Sequence, residues 1–379
     1  MIPYIFCFSL SVILFKLNEK IEKGRQFVLT WVAILIPCLL AGLRDVTIGT
    51  DVGGYLKLLA DAAFNARNFA DYIDTNWYVN GSLNGTSGYE IGFVAVVYIV
   101  IKIFKSRLAV QFAIQLLTIL PIYTAIKKMG YPKWLGMLVY YLFLFHSSLN
   151  VMRQLMAMAF VLLAWTEIAS NESKKINRKC VIWTVAAISF HTSALISVLI
   201  YWLYWMVTAD DSVAVIGRKK YDMKSMKIFF ISLIGAVFVA FGVGTLVALL
   251  SALNLDKYVG YINGEIQFMP NQLIARFPML VILAINWRTL FEKDKAGRFY
   301  VLMAALDLIL SQFTSASTYG GRISMYFSQF QILSVGAVYR TCKNRNLMLI
   351  GMISYFIFYW WFYFVYKGSD QTIPYVLGI

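Results

Sequence analysis

Charge is scarce in this chain. Only 14% of its 379 residues are charged, against 60% hydrophobic, where a soluble domain carries about 25% charged residues. That shortage excludes an ordinary soluble protein. Alternating apolar–polar segments of about ten residues are lacking too, which excludes a transmembrane β-barrel. Cysteine is sparse: Cys7, Cys38, Cys180 and Cys342 are scattered and form no CxxC pair. Cys7 and Cys38 lie within apolar runs, so neither a disulfide framework nor a zinc site is expected. No soluble segment exists to carry a basic face, so the net charge of +15 does not indicate a nucleic-acid partner. No internal repeat or low-complexity linker divides residues 1–379, which read as one membrane domain with outer loops at 44–89 and 251–272. Residues 1–15 are apolar, but their basic cluster follows rather than precedes them, so an uncleaved first span is expected.

What the chain does have is apolar runs. A membrane helix needs roughly 20 mostly apolar residues, and such runs recur from end to end. The expected fold class is an all-α polytopic membrane protein, with about 12 transmembrane helices plus a re-entrant or partial helix. Most Lys and Arg fall in short loops, where positive charge marks the inner side. Lys16, Lys20, Lys23 and Arg25 form one such cluster, and Lys174, Lys175, Arg178 and Lys179 a second. The others are Arg218, Lys219, Lys220, Lys224 and Lys227; Lys293, Lys295 and Arg298; and Arg340, Lys343 and Arg345. The outer side then receives 44–89, the neighbourhoods of 146–153 and 191, 251–272, 318–322 and the tail 367–379. Within 55–73, apolar residues at helical spacing predict an amphipathic helix on the outer surface.

Two places resist simple crossing. Stretches 90–104, 108–126 and 134–148 lie between two outer regions, so one of them is re-entrant or one basic cluster is outside. Lys102, Lys105 and Arg107 read as inside, and so do Lys127, Lys128 and Lys133. Residues 180–206 keep the next basic loop inside only as two short helices meeting near His191, a break tolerated where it lines a cavity.

Ionisable groups beside membrane spans are costly, and so mark function by default. Arg44 and Asp51 follow the second span in "AGLRDVTIGTD". Glu90 opens an apolar run in "GYEIGF"; Asn150, Arg153 and Gln154 open another in "LNVMRQLMAMAF". His191 sits in "AISFHTSAL", Arg276 in "NQLIARFPML", and Arg322 and Tyr326 in "GGRISMYF". Each has a plainer reading: arginines snorkel to headgroups, Gly49-Thr50-Asp51 makes an Asx turn, Glu90 suits a helix N-terminus, and a lone histidine serves structure. Together they are an arginine-rich set on one side, and arginine's forked donors suit phosphate oxygens. Arg44, Arg153, Arg276 and Arg322, with Asn150, Gln154 and Tyr326, therefore read as ligands of a pyrophosphate at the lipid interface. His191 is the first candidate for a general base, because an unperturbed imidazole titrates near pH ~6.5; Asp51 and Glu90 follow. Tyr72, Trp77, Tyr78 and Tyr89 would suit sugar stacking, although Trp and Tyr also belt membrane interfaces. No metal or cofactor is required, while Asp45 and Asp51 form one acidic pair that could take a metal.

In order and spacing, "LRDVTIGTDVGGY", "GYEIGF", "SLNVMRQLMAMA", "FHTSAL", "GGRISMYF" and Pro374-Tyr375 resemble the EpsG-type branch of the Wzy polysaccharide polymerases. The stretch between Tyr55 and Tyr89 departs from that pattern. The resemblance implies a GT-C-like fold in the bacterial cytoplasmic membrane, multi-pass, with its active site facing outward. It implies transfer of a growing glycan from undecaprenyl pyrophosphate to the next undecaprenyl-pyrophosphate-linked repeat unit. The implied partners are the lipid-linked donor and acceptor, membrane lipid and a chain-length regulator. The other readings of the same residues are an O-antigen ligase, and a flippase or transporter of lipid-linked oligosaccharide.

Overall fold

The computed structural model describes residues 1–21, 23–79, 81–173, 175–208, 214–216, 219–221, 226–237, 267–315 and 320–378. The expected outer loop 251–272 falls outside them as far as residue 266, as do Lys174, Arg218, Lys224 and residues 318 and 319. The chain forms two compact units, Met1–Ser197 with Phe356–Ile379, and Val198–Tyr355.

Unit 1 is helical. Its elements are α1 (Ile2–Asn18), α2 (Lys23–Gly42), α3 (Lys57–Asn65), α4 (Phe69–Ile73), a hairpin of β1 (Asn76–Val79) and β2 (Ser82–Gly85), α5 (Ile91–Phe104), α6 (Arg107–Lys128), α7 (Lys133–Phe143), α8 (Phe145–Asn150), α9 (Met152–Ala169) and α10 (Arg178–Phe190). α9 is the central helix. From Leu155 to Trp165 its sequence is apolar all round and every residue is buried, as expected for a helix enclosed by others. α6, α8 and α10 pack on it.

Side-chain pairs show which way each helix runs. At one end Lys128 of α6 pairs with Glu167 of α9, and Asn177, just before α10, donates to Glu167. Lys16 of α1 covers the Trp134 ring of α7, and Glu19 accepts from the Lys133 backbone N–H at 3.2 Å. At the other end stand Arg44 after α2, the α8–α9 break and His191 after α10. The clusters around Lys16, Lys128 and Arg178 thus share one end of the unit, the pattern of loops held on one side of a membrane.

α5 is the partial element. Glu90 at its start meets Arg153 and His191. The helix that follows begins beside Arg44, where Gln111 of α6 faces the Arg44 carbonyl at 3.5 Å. Both ends of α5 therefore lie at the Arg44 end, and its 14 residues cover only about 21 Å at 1.5 Å per residue. This corrects the sequence-based side for Lys102, Lys105 and Arg107. Lys102 donates to the Phe64 and Ala66 carbonyls and so fastens the 44–89 segment instead of marking the opposite side.

Three other expectations change or hold. The amphipathic helix expected over 55–73 is broken: Ala66 is extended (φ −61°, ψ 141°) and Asn68 caps α4 by accepting from the Asp71 N–H at 2.9 Å. α3 still buries Leu59, Ala60, Ala62 and Ala63 and packs on α5. The break at His191 is present: α10 ends at Phe190, His191 is extended, a tight turn of helix covers Thr192–Ile196, and α11 (Ser197–Thr208) follows.

A dozen crossings are not seen among the described residues. Among the described residues four helices are long and apolar enough to cross a membrane: Gly24–Gly42, Arg107–Lys128, Met152–Ala169 and Arg345–Tyr366. A fifth is gained if Pro270–Ile285 and Trp287–Lys293, bent by 66°, count as one. Among the described residues several apolar runs are short or interrupted, as at Leu144 between α7 and α8.

Unit 2 contains helices Pro270–Ile285, Trp287–Lys293, Gly297–Leu310, Gly320–Ser328 and Gln331–Thr341. Its interior holds a buried ion pair. Arg276 Nε donates to Asp307 Oδ1 at 2.9 Å, and Gln331 donates to the other carboxylate oxygen at 3.3 Å.

Candidate functional site

The Gly49-Thr50-Asp51 turn docks on the break between α8 and α9. Gly49 has φ +75°, and a Cβ there would lie 2.5 Å from the Leu149 carbonyl oxygen, so only glycine fits without strain. Thr50 donates from its N–H (2.9 Å) and its hydroxyl (2.6 Å) to Asn150 Oδ1. Asp51 Oδ2 accepts from the Met152 N–H at 3.1 Å and from the Tyr55 hydroxyl at 2.6 Å. A carboxylate there complements the positive end of α9. This explains why an apolar chain keeps a turn with an acid after its second span: the turn caps the central helix.

Arg44 underlies this turn. It is 1% exposed and donates to the Ala41 carbonyl at 2.6 Å and to the Leu149 carbonyl at 3.4 Å, with Met152 Sδ at 3.1 Å. Burial draws its guanidinium down to about 10, against which Tyr4, Tyr375 and Asp51 favour the charged form, so it stays cationic at neutral pH. Asp45 turns away from Asp51, accepting from the N–H and hydroxyl of Thr47, and those bonds hold its carboxyl below the usual range. The acidic pair considered for a metal is thus divided between two jobs. Among the described residues no three His, Cys, Asp or Glu side chains gather as a metal cluster.

Beside the turn, Glu90, Arg153, His191 and Tyr89 converge with Tyr55 and Thr192. Glu90 holds Arg153 with one carboxylate oxygen. Its other oxygen meets His191 Nδ1 at 2.6 Å and accepts from the Thr192 N–H at 3.1 Å. The Arg153 guanidinium lies 5.0 Å from the ring centres of both Tyr55 and Tyr89, a cation–π cradle that favours a planar arginine. The cluster is partly open: the Arg153 and His191 side chains are 24% and 22% exposed. Close approach of α5 and α10 brings Glu90 to His191, since a Cβ on Gly92 would sit 2.3 Å from Ser189 Oγ. Burial alone would raise the Glu90 carboxyl. The His191 hydrogen bond and the Arg153 charge outweigh it and hold the group at about 2. Glu90 is therefore ionised at neutral pH and suited to orienting, not to accepting a proton.

The remaining candidates are placed as follows. Asn150 joins Thr50 to Asp370, donating to Asp370 Oδ1 at 2.8 Å. Gln154 is buried in the first turn of α9. Arg276, Arg322 and Tyr326 belong to unit 2. There Arg276 is paired with Asp307, and Tyr326 is buried. Sequence reading passed over four residues: Tyr55, Asp307, His146 and Asp370. Asp307 had a signal, a carboxylate inside the apolar run "VLMAALDLIL". Asp370 had none, because its partner Asn150 is distant in sequence, and the stacking of Tyr55 on Arg153 had none either.

No curated protein and no solved structure matches the chain. One family model does, over residues 27–377. That span contains the docked turn, the Glu90–Arg153–His191 cluster and most of the tail, and it shows that the chain belongs to the EpsG family, a family of Wzy-type polymerases.

Proposed function

We propose that this protein extends a polysaccharide by transferring a growing glycan from undecaprenyl pyrophosphate to the next undecaprenyl-pyrophosphate-linked repeat unit, at the outer face of the bacterial cytoplasmic membrane. Family membership supports polysaccharide polymerisation in a membrane. The observation that carries the site assignment is the bond between His191 Nδ1 and Glu90, whose other oxygen holds Arg153. A carboxylate on Nδ1 fixes the imidazole and leaves Nε2 for a substrate proton.

In this reading His191 Nε2 takes the proton of the acceptor hydroxyl. The acceptor oxygen bonds to the anomeric carbon of the donor, and the bond from that carbon to the pyrophosphate oxygen breaks. Arg153 faces the departing pyrophosphate and neutralises its growing charge, usually the largest catalytic contribution. Arg44 supports that anion from below as a buried cation. Glu90 orients, and Asp51 caps α9 and holds Tyr55, instead of serving as alternative bases. Arg276 and Arg322 are further proposed pyrophosphate ligands, with Asn150, Gln154 and Tyr326 as supporting groups. The GT-C-like arrangement belongs to the same proposal. So do the multi-pass, outward-facing orientation and the partnership with a chain-length regulator.

The test is purified protein in lipid vesicles with a lipid-linked repeat unit and nothing else. A ladder of products of increasing repeat number is expected. A single addition would point to a ligase, and movement of the lipid without transfer to a transporter.

A further inference from the structure

The carboxy-terminal tail lies across the Gly49–Asp51 turn. The Gln371 carbonyl accepts from the Gly49 N–H at 3.1 Å, the Val376 carbonyl from the Asp45 N–H at 3.0 Å, and the Gly378 N–H donates to the Leu43 carbonyl at 2.8 Å. Tyr375 donates to the Leu40 carbonyl at 2.8 Å. Thr372 is fully buried. Its carbonyl accepts from the Tyr4 hydroxyl at 2.8 Å, and its hydroxyl meets His146 Nδ1 at 2.7 Å, while Trp360 donates to His146 Nε2 at 2.8 Å.

Within this strap Asp370 and Gln371 adopt φ +66° and +51°, a left-handed region that strains a non-glycine residue. The strained pair aims the Asp370 carboxylate at the α8–α9 break. Its Oδ2 accepts from the Ser147 hydroxyl at 2.7 Å, and its Oδ1 from Asn150 Nδ2 at 2.8 Å. The Asn150 amide is thereby fixed with its oxygen toward Thr50. From Thr50 the line continues to Asp51, then Tyr55, then Arg153.

We propose that Asp370 is a positioning residue of the active site: through Asn150 it holds the Thr50–Asp51 turn, and through that turn the Tyr55 face against which Arg153 grips an anionic lipid-linked substrate. The proposal rests on the polymerase reading above. Strain in the tail is offset by these bonds, and the tail sets the site's geometry from more than 200 residues away in sequence (|i−j| = 220 for the Asn150–Asp370 bond).

Exchange of the pair tests it. Asn150→Asp alone sets two carboxylates against each other. About a tenfold rise in KM for the lipid-linked substrate is expected, with a much smaller change in kcat. Adding Asp370→Asn lets the new amide at 370 donate to the new carboxylate at 150. That carboxylate still accepts from Thr50, the amide oxygen still accepts from Ser147, and the net charge is unchanged. The double variant should recover KM to within about threefold of wild type. Rates are taken per amount of monodisperse protein in detergent. A wild-type KM for Asn150→Asp, or a double variant no better than the single one at equal protein level, overturns the proposal. Should Asn150→Asp not accumulate, Asp370→Ala and the double variant decide: a raised KM in the first with recovery in the second supports it, and any other pair of results overturns it. Arg153→Lys is run alongside, because an unchanged KM there sinks the pyrophosphate reading itself, whatever the tail does.

Discussion

Arg153 is the residue whose chemistry is most exposed to test. Two tyrosine faces and one carboxylate hold a planar, forked cation in a partly open place. Lysine would keep the charge and lose the fork and the stacking. Arg153→Lys is expected to lose at least about tenfold in polymerisation rate while protein level stays near normal, measured as product ladder per amount of protein. His191→Ala should cut turnover by about a hundredfold or more with donor binding retained; normal turnover would return His191 to a structural role. Glu90 gives a stability test independent of activity. Its folded-state value, about 2, lies below the ordinary 4.5, so its contribution is complete at neutral pH. It is lost as pH falls from about 4.5 toward 2. The depression from 4.5 to about 2 corresponds to roughly 3 kcal/mol, less what solvent screening removes at this partly open site. The difference in thermal stability between wild type and Glu90→Gln should therefore shrink across that acid window, and a constant difference would contradict the assignment.

At the scale of elements, the site is assembled around one helix end. α9 begins at a break where Val151 leaves helical geometry, and its first turn receives Asp51 from one side and Glu90, through Arg153, from another. Gly49 is the hinge of that docking. Gly49→Ala would place a Cβ against the Leu149 carbonyl at a positive φ. A destabilisation of about 1–3 kcal/mol is expected, read as a lower unfolding temperature in detergent, together with impaired activity. An unchanged melting temperature would mean that the turn relaxes freely and does not fix α9.

The whole molecule makes a topological prediction. Both ends of α5 lie at the Arg44 end of unit 1, and the Lys16, Lys128 and Arg178 clusters lie at the opposite end. In a background without native cysteines, single cysteines at Ser82 and Ser106 should react with an impermeant thiol reagent from outside the cell, and one at Asn171 should not. Labelling at 106 that follows 171 would restore α5 as a full crossing. Labelling of 171 alone would reverse the orientation of the whole chain.

Low charge and recurrent apolar runs were enough to read a helical membrane protein, because burial of backbone in lipid leaves few other solutions. The cost of an ionisable group beside a span was enough to single out Arg44, Asp51, Glu90, Arg153 and His191. The break at His191 was also legible, from the need to keep a basic loop on its own side. Partners were not. Periodicity and charge report what a residue costs where it stands, whereas a hydrogen bond needs two groups brought together in space. Only the tertiary structure could turn Glu90 from a candidate base into the group between Arg153 and His191, bury Arg44 under the turn, and lay Asp370 on Asn150. The number of crossings likewise waited on structure, since an apolar run states that a segment avoids water and not which way it runs.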